Sequence, residues 1–183
     1  MRKPIPVVKI RILALTMSFL LAVQFNAHAQ GWSAGLYNSL KGMGVSIDYK
    51  ANDDIYNSFT LLADMTGIFG GRYTEPGIKM VYLHYNRLSA FSTEHADFGI
   101  FLAPGASTGL VRDHDNDSFG TILTADIAIA LNACFVRNID IEVGFMAELG
   151  FFATSTVSGT QMNIYDNGLR KAMIPSIKLM YRF

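Results

Sequence analysis

The chain has one cysteine, Cys134, which excludes a disulfide framework and a Cys-based zinc site. Charge is scarce too: 16% of the 183 residues are Asp, Glu, Lys or Arg, and 15 basic residues balance 15 acidic ones. A net charge of zero provides no basic surface for nucleic acid. After residue 29 no uninterrupted apolar run approaches the roughly 20 residues a spanning helix needs. The glycines between Gly67 and Gly71 lack the lysine and the helix of a phosphate loop. What remains is apolar: half of the residues are hydrophobic.

Four of the 15 basic residues, Arg2, Lys3, Lys9 and Arg11, lie at the very start, and no acid precedes Asp48. An apolar stretch runs from Ile12 to Val23 and is followed by small residues at Ala27 and Ala29, two apart as in an A-x-A cleavage site. Basic head, apolar middle and small-residue exit predict a secretory signal peptide over 1–29, cut after Ala29, with one domain over 30–183. A membrane anchor is the alternative, and the apolar stretch is short for it. The exported part keeps eleven basic residues against 15 acidic ones.

That part alternates with a period of two, the signature of strands. From Ile139 to Ala153, Ile139, Ile141, Val143, Phe145, Ala147, Leu149 and Phe151 fall on one face. Asp140, Glu142, Gly144, Met146, Glu148 and Gly150 fall on the other. The same pattern puts Pro175, Ile177, Leu179, Tyr181 and Phe183 opposite Ser176, Lys178, Met180 and Arg182. Eight segments are predicted, near 31–39, 43–50, 55–66, 76–87, 96–112, 119–134, 139–154 and 173–183. The fifth contains Pro104, which demands an edge, a bulge or a break in pairing. Short connections at 50–54 and 136–138 face one way; longer ones at 67–75, 113–118 and 155–172 face the other. That asymmetry fits an eight-stranded antiparallel up-and-down transmembrane β-barrel, an all-β fold.

A soluble lipocalin-like barrel would turn its apolar face inward, and alternation alone does not decide between the two. Size does. Gly99, Ala103, Gly105, Ser107 and Gly109 suit a narrow lumen, whereas Phe98, Ile100, Leu102 and Leu110 are too bulky to share one. Strand length agrees, since a tilted crossing takes about 9–11 residues.

Leu102-Ala103-Pro104-Gly105-Ala106-Ser107-Thr108-Gly109-Leu110-Val111-Arg112-Asp113 resembles the glycine-patterned central strand of small outer-membrane β-barrel proteins of Bacteroides-type bacteria. Tyr165-Asp166-Asn167-Gly168-Leu169-Arg170 and the Tyr181-Arg182-Phe183 end are similar to the last loop and strand of that group. The resemblance implies architecture and an outer-membrane location, and no assigned activity. It also implies that Ile177, Leu179, Tyr181 and Phe183 form the terminal signal read by the barrel assembly machinery.

The predicted inward face carries Asp126, Asp140, Glu142, Glu148, Lys178 and Arg182. Lys and Arg cost roughly 2–4 kcal/mol on the lipid face at the bilayer midplane, which turns Lys178 and Arg182 inward. If the last two segments form a simple hairpin, Glu142 falls opposite Arg182, Glu148 lies diagonal to Lys178, and Asp126 is near Glu148. A lumen filled by paired ions is the favoured reading, and a gated ion path the alternative. Asp113-His114-Asp115-Asn116-Asp117 spaces its acids like a calcium loop but has Ser118 and Thr124 where Gly and Glu belong, so no metal is expected. His84 and His95, with Ser89 and Ser92 on a predicted turn, raise a lipid-modifying hydrolase, but no triad can be assembled from them. No cofactor is implied. Partners expected are outer-membrane lipid and, through residues 155–172, a surface partner.

Overall fold

The computed structural model describes residues 31–65, 76–112, 119–136, 138–156, 159–167 and 173–183. Among them the chain forms β1 (Trp32–Ser39), β2 (Gly42–Lys50), β3 (Ile55–Asp64), β4 (Gly77–Ser92), β5 (Asp97–Arg112), β6 (Phe119–Val136), β7 (Ile139–Thr156), β8 (Gly159–Asn167) and β9 (Ile174–Arg182). Each strand from β1 to β7 pairs antiparallel with its successor, and β9 closes the ring by pairing with β7 on one side and β1 on the other. β7 is shared: Ile139 to Met146 pair with β9, and Glu148 to Thr156 pair with β8. β8 and β9 thus occupy one stave in succession, and the barrel has eight staves.

Short connections carry their own turn chemistry. The Asn52 side chain accepts from the backbone of Asp54 and Ile55 at 2.9 and 2.8 Å, an Asx turn joining β2 to β3. Thr93 caps the β4–β5 turn by accepting from Ala96 N at 3.1 Å. Gly159 opens β8 at φ +125°, where a side chain would be strained.

The partners Ser33, Asp48, Ser58, Leu83, Gly105, Asp126 and Glu148 form one continuous row across seven strands. The row starts near the beginning of β1 and ends past the middle of β7. Such stagger is what tilted strands need to close a barrel. The Pro104 break is on one side only: the β4–β5 ladder skips Ala103 and Pro104, while Pro104 keeps its β6 partner Ile127. A proline has no N–H to give a ladder.

The two faces are inverted relative to a water-soluble barrel. Leu36, Phe59, Leu123 and Leu179 point outward and are at least half exposed. Lys79, Lys178 and Glu148 point inward and are buried. A cluster of outward aromatic rings marks the end that carries the short turns. Trp32 and Tyr49 lie 4.9 Å apart, Phe91 and Phe98 4.9 Å, and Phe98 and Phe135 6.0 Å.

Two expectations are corrected. Residues 155–172 are not a loop throughout, because β8 occupies Gly159–Asn167. Ser89 and Ser92 are not in a turn, because β4 runs on to Ser92 past a bulge between Arg87 and Ser89.

Candidate functional site

The inward side chains fill the lumen in layers. At the short-turn end lies a polar vestibule of about 290 Å³, walled by Lys50, Arg87 and Arg182 and floored by Tyr56 and Phe101. Asp140 sits between two cations: Lys50 Nζ is 3.1 Å from Oδ2, and Arg182 binds Oδ1. Arg182 also donates to Cys134 Sγ at 3.3 Å. Arg87 reaches out to the exposed Asp54 at 3.2 Å. The Phe101 ring crosses the lumen because residue 99 has no side chain; a Cβ there would meet Phe101 Cε2 at 2.6 Å.

The next layer is built on Glu142. Tyr56 and Tyr85 stack at 4.2 Å and donate their hydroxyls to its two oxygens at 2.5 and 2.9 Å. Lys178 Nζ lies 3.1 Å from Glu142 Oε1, 3.4 Å from Asp48 Oδ2 and 3.3 Å from Ser58 Oγ. It also stands over the Tyr85 ring at 4.7 Å, a cation–π contact. Two carboxylates thus share one buried ammonium. Desolvation makes such charges costly alone and tolerable together.

An apolar layer follows, with Leu62, Val81, Leu83, Ala103, Ala128, Ala130 and Met146 in one buried cluster. Beyond it Glu148 is held by Lys79 and, at 3.2 Å, by Lys41, which also donates to the Tyr165 hydroxyl at 3.1 Å. Burial is the largest influence on Lys41, in the β1–β2 turn, and holds its ammonium below the usual lysine range; Glu148 works against it. Asp126 is the direct β6 partner of Glu148, and its Oδ1 accepts from Thr124 at 2.7 Å. The void left among Tyr37, Lys41, Lys79 and Glu148 is about 10 Å³, about the least space that holds a water. Val111, Ile122 and Phe152 form a last apolar layer with Tyr165 packed against it.

Of the residues anticipated inside, Asp126, Asp140, Glu142, Glu148, Lys178 and Arg182 all face the lumen, in a different register from the simple hairpin. Glu142 stands opposite Lys178, not Arg182, and Arg182 reaches Asp140 instead. Glu148 takes Lys41 and Lys79 rather than Lys178. Asp48, Lys41, Lys50, Lys79, Tyr56 and Tyr85 were not anticipated as members of this network. Asp48 stood on the polar face of its segment, whereas Lys79 was hidden by the two-sided apolar run Met80-Val81-Tyr82-Leu83. Ile177, Leu179 and Tyr181 point outward, and Phe183 is 38% exposed. Ala27, Ala29 and residues 113–117 lie outside the described residues.

Among the described residues His84 and His95 assemble no triad. His84 faces outward with its Nδ1 2.8 Å from Asn57 Oδ1, and His95 lies in the β4–β5 turn. Among the described residues no group of three His, Cys, Asp or Glu could hold a metal ion. Among the described residues, ionic layers alternate with apolar ones along the barrel interior.

No family model and no curated protein matches the chain. Among solved structures it is similar to the N-terminal β-barrel domain of Pseudomonas aeruginosa OprF, with a TM-score of 0.51 and 14% identity over 82% of this chain and 98% of that one. Neisserial surface protein A gives a TM-score of 0.40 at 14% identity, covering 84% and 95%, too slight a likeness for comparing sites. At such identity the OprF likeness is one of fold, and what it shows together with the pairing of β9 on β1 is a closed eight-stranded antiparallel β-barrel.

Proposed function

We propose that this protein is exported by the segment 1–29 and spans an outer membrane as a closed barrel, serving as a scaffold that presents surface strands and loops to a partner. The observation that carries the reading is the inverted amphipathicity. Ile141, Phe145 and Leu179 look out while Asp140, Glu142 and Lys178 look in. Soluble monomers rarely expose a continuous apolar belt of this kind. In lipid the same belt is the stable arrangement, and closing β9 on β1 removes the open sheet edge that lipid does not tolerate.

The long-strand end supplies the presenting surface. β7 and β8 form a hairpin there, with Met162 66% and Ile164 71% exposed. A rigid scaffold carrying exposed outer segments is a common way to bind. The outward row Ile177, Leu179, Tyr181 and Phe183 is assigned to recognition by the assembly machinery. The packed lumen supports a structural role over a channel.

The test is heat-modifiability with hydrophobic photolabelling. The barrel should be recovered in the outer-membrane fraction and migrate differently on a gel before and after boiling. The photoprobe should tag Phe145 and Leu179 and spare Gly144 and Lys178. Recovery as a soluble periplasmic protein with no gel shift would overturn the reading.

A further inference from the structure

β4 runs on to Ser92, but its neighbour β3 begins only at Ile55, the partner of Asn86. The β2–β3 turn ends the shared ladder, where Arg87 donates its N–H to Asp54 O at 2.8 Å. Beyond that point no strand flanks this side of β4 among the described residues. The other side stays paired with β5 as far as Ser92 and Asp97. Which backbone groups face the vacancy follows from the β4–β5 turn. Thr93 donates its N–H to Ala96 O at 2.8 Å, so these two form a hydrogen-bonded pair. Bonded and non-bonded pairs alternate along an antiparallel ladder. Phe91 and Phe98 are therefore the next bonded pair, while Ala90 and Ser92 turn their N–H and C=O groups away from β5. Both residues are exposed, and an exposed strand edge is a template for pairing with another chain.

The extra residue at the bulge between Arg87 and Ser89 decides where the side chains go. Tyr85 and Arg87 point inward before it, and Ala90 and Ser92 after it, so that Arg87, Ala90 and Ser92 all line the vestibule of about 290 Å³. There is room beside the edge because residue 90 is alanine and its partner, residue 99, is glycine. The vestibule's cations are short of acceptors. Lys50 and Arg182 share the one buried carboxylate of Asp140. Arg87 pairs with Asp54, whose side chain is 72% exposed, and an exposed pair of this kind is weak. The Nε–H groups of Arg87 and Arg182 are buried and have no acceptor among the described residues. Asp53 and Asp97 also line the vestibule, but both are exposed, and water and salt screen them.

We infer that this edge and the vestibule behind it bind an extended segment of a second protein, added antiparallel to residues 90–92 with one acidic side chain turned into the vestibule. The added residue opposite Ala90 exchanges both main-chain bonds with it and points to the same face, toward Arg87 and Arg182. Its carboxylate supplies the acceptor that the two guanidinium groups lack. A strand running this way meets the β2–β3 turn, so the segment is short. Short turns of a membrane barrel face the periplasm, so on the membrane reading above the partner is a periplasmic protein.

The experiment uses the full barrel in detergent micelles and a fluorescent peptide, Thr-Val-Glu-Val-Thr blocked at both ends, with binding read by anisotropy. The glutamate falls opposite Ala90, and the valines lie on the outer face with Phe91. The wild type should bind the peptide and empty micelles should not. Glutamine in place of the glutamate should weaken binding about tenfold, the scale of one lost charged hydrogen bond. Methylating the glutamate backbone nitrogen removes the donor to Ala90 O and should weaken binding about fivefold. Ala90→Pro removes the N–H that faces the vacancy and spares the β5 ladder, as prolines on edge strands do. It should weaken binding by a similar factor and keep the heat-modifiable gel shift. Arg87→Gln should narrow the preference for glutamate over glutamine. Equal binding of the two peptides, indifference to methylation, or no signal above empty micelles would overturn the inference. The gel shift on the same samples reports the membrane reading separately, because a wild type that shifts on boiling and ignores the peptides sinks this inference alone.

Discussion

Lys178 on β9 and Glu142 on β7 are direct partners in the last strand pair, with Nζ and Oε1 3.1 Å apart and both side chains buried. Asp48 and two tyrosine hydroxyls complete the group. Removing the ammonium alone leaves two carboxylates buried without a counter-ion. Lys178→Met should therefore destabilise the barrel by about 3–5 kcal/mol. Adding Glu142→Gln and Asp48→Asn removes the stranded charge and should restore at least half of that. Urea unfolding in lipid vesicles, followed through the single Trp32, reads both values. A single variant as stable as the wild type would mean that Lys178 does not carry the layer.

Arg182 tests the register. It reaches Asp140 and Cys134, so a double-mutant cycle between Arg182→Met and Asp140→Asn should give a coupling of about 1–3 kcal/mol. The cycle between Arg182→Met and Glu142→Gln should give a value within about 0.5 kcal/mol of zero. The reverse order would restore the simple-hairpin register.

That register shows where sequence reasoning stops. Alternation places Asp140, Glu142 and Glu148 on one face of β7, because side chains on a strand repeat every two residues. Slipping β9 by an even number of residues leaves every face unchanged, so the pattern cannot tell Lys178 from Arg182 opposite Glu142. A tight turn would have fixed the pairing, as Asn52 does for β2 and β3. Between β7 and β9 the chain instead inserts β8, and Asn167 and Ile174 pair with Glu148 and Met146, only two positions apart on β7. The strand signal of β8 was present, since Met162 and Ile164 alternate with Gln161, Asn163 and Tyr165. Polar turn formers on both sides hid it. The cross-lumen partners Lys79 and Lys41 were out of reach because closing the barrel, and no local pattern, brings them to Glu148.

The packed lumen makes a statement about conduction. The wild type should show no discrete openings in a planar bilayer. Tyr56→Ala with Tyr85→Ala removes the stacked rings that floor the vestibule, yet Leu62, Val81, Leu83 and Met146 still lie beyond them. An apolar constriction of this kind excludes water and ions. The double variant should stay silent although its vestibule deepens. Ohmic openings in either protein would revive the narrow channel as a function.

The β7–β8 hairpin should be separable from the barrel. β9 alone closes the ring on β1, and it pairs with the first half of β7. Ala153 and Met162 are partners, so excising 154–161 and joining them through Asn-Gly, the sequence preferred in two-residue hairpins, keeps every remaining pair in register. The shortened protein should keep its heat-modifiable shift and lose no more than about 1 kcal/mol in urea, because the removed pairs lie beyond the layers that hold the lumen. Its surface binding should fall if the hairpin is what a partner grips, and crosslinking on intact cells with a probe at Gln161 or Met162 would identify that contact before the excision removes it. Failure of the shortened chain to fold would instead make the tip of the hairpin a part of the closing stave, with the pairs from Thr154–Gln161 to Thr156–Gly159 needed to bring β9 into place.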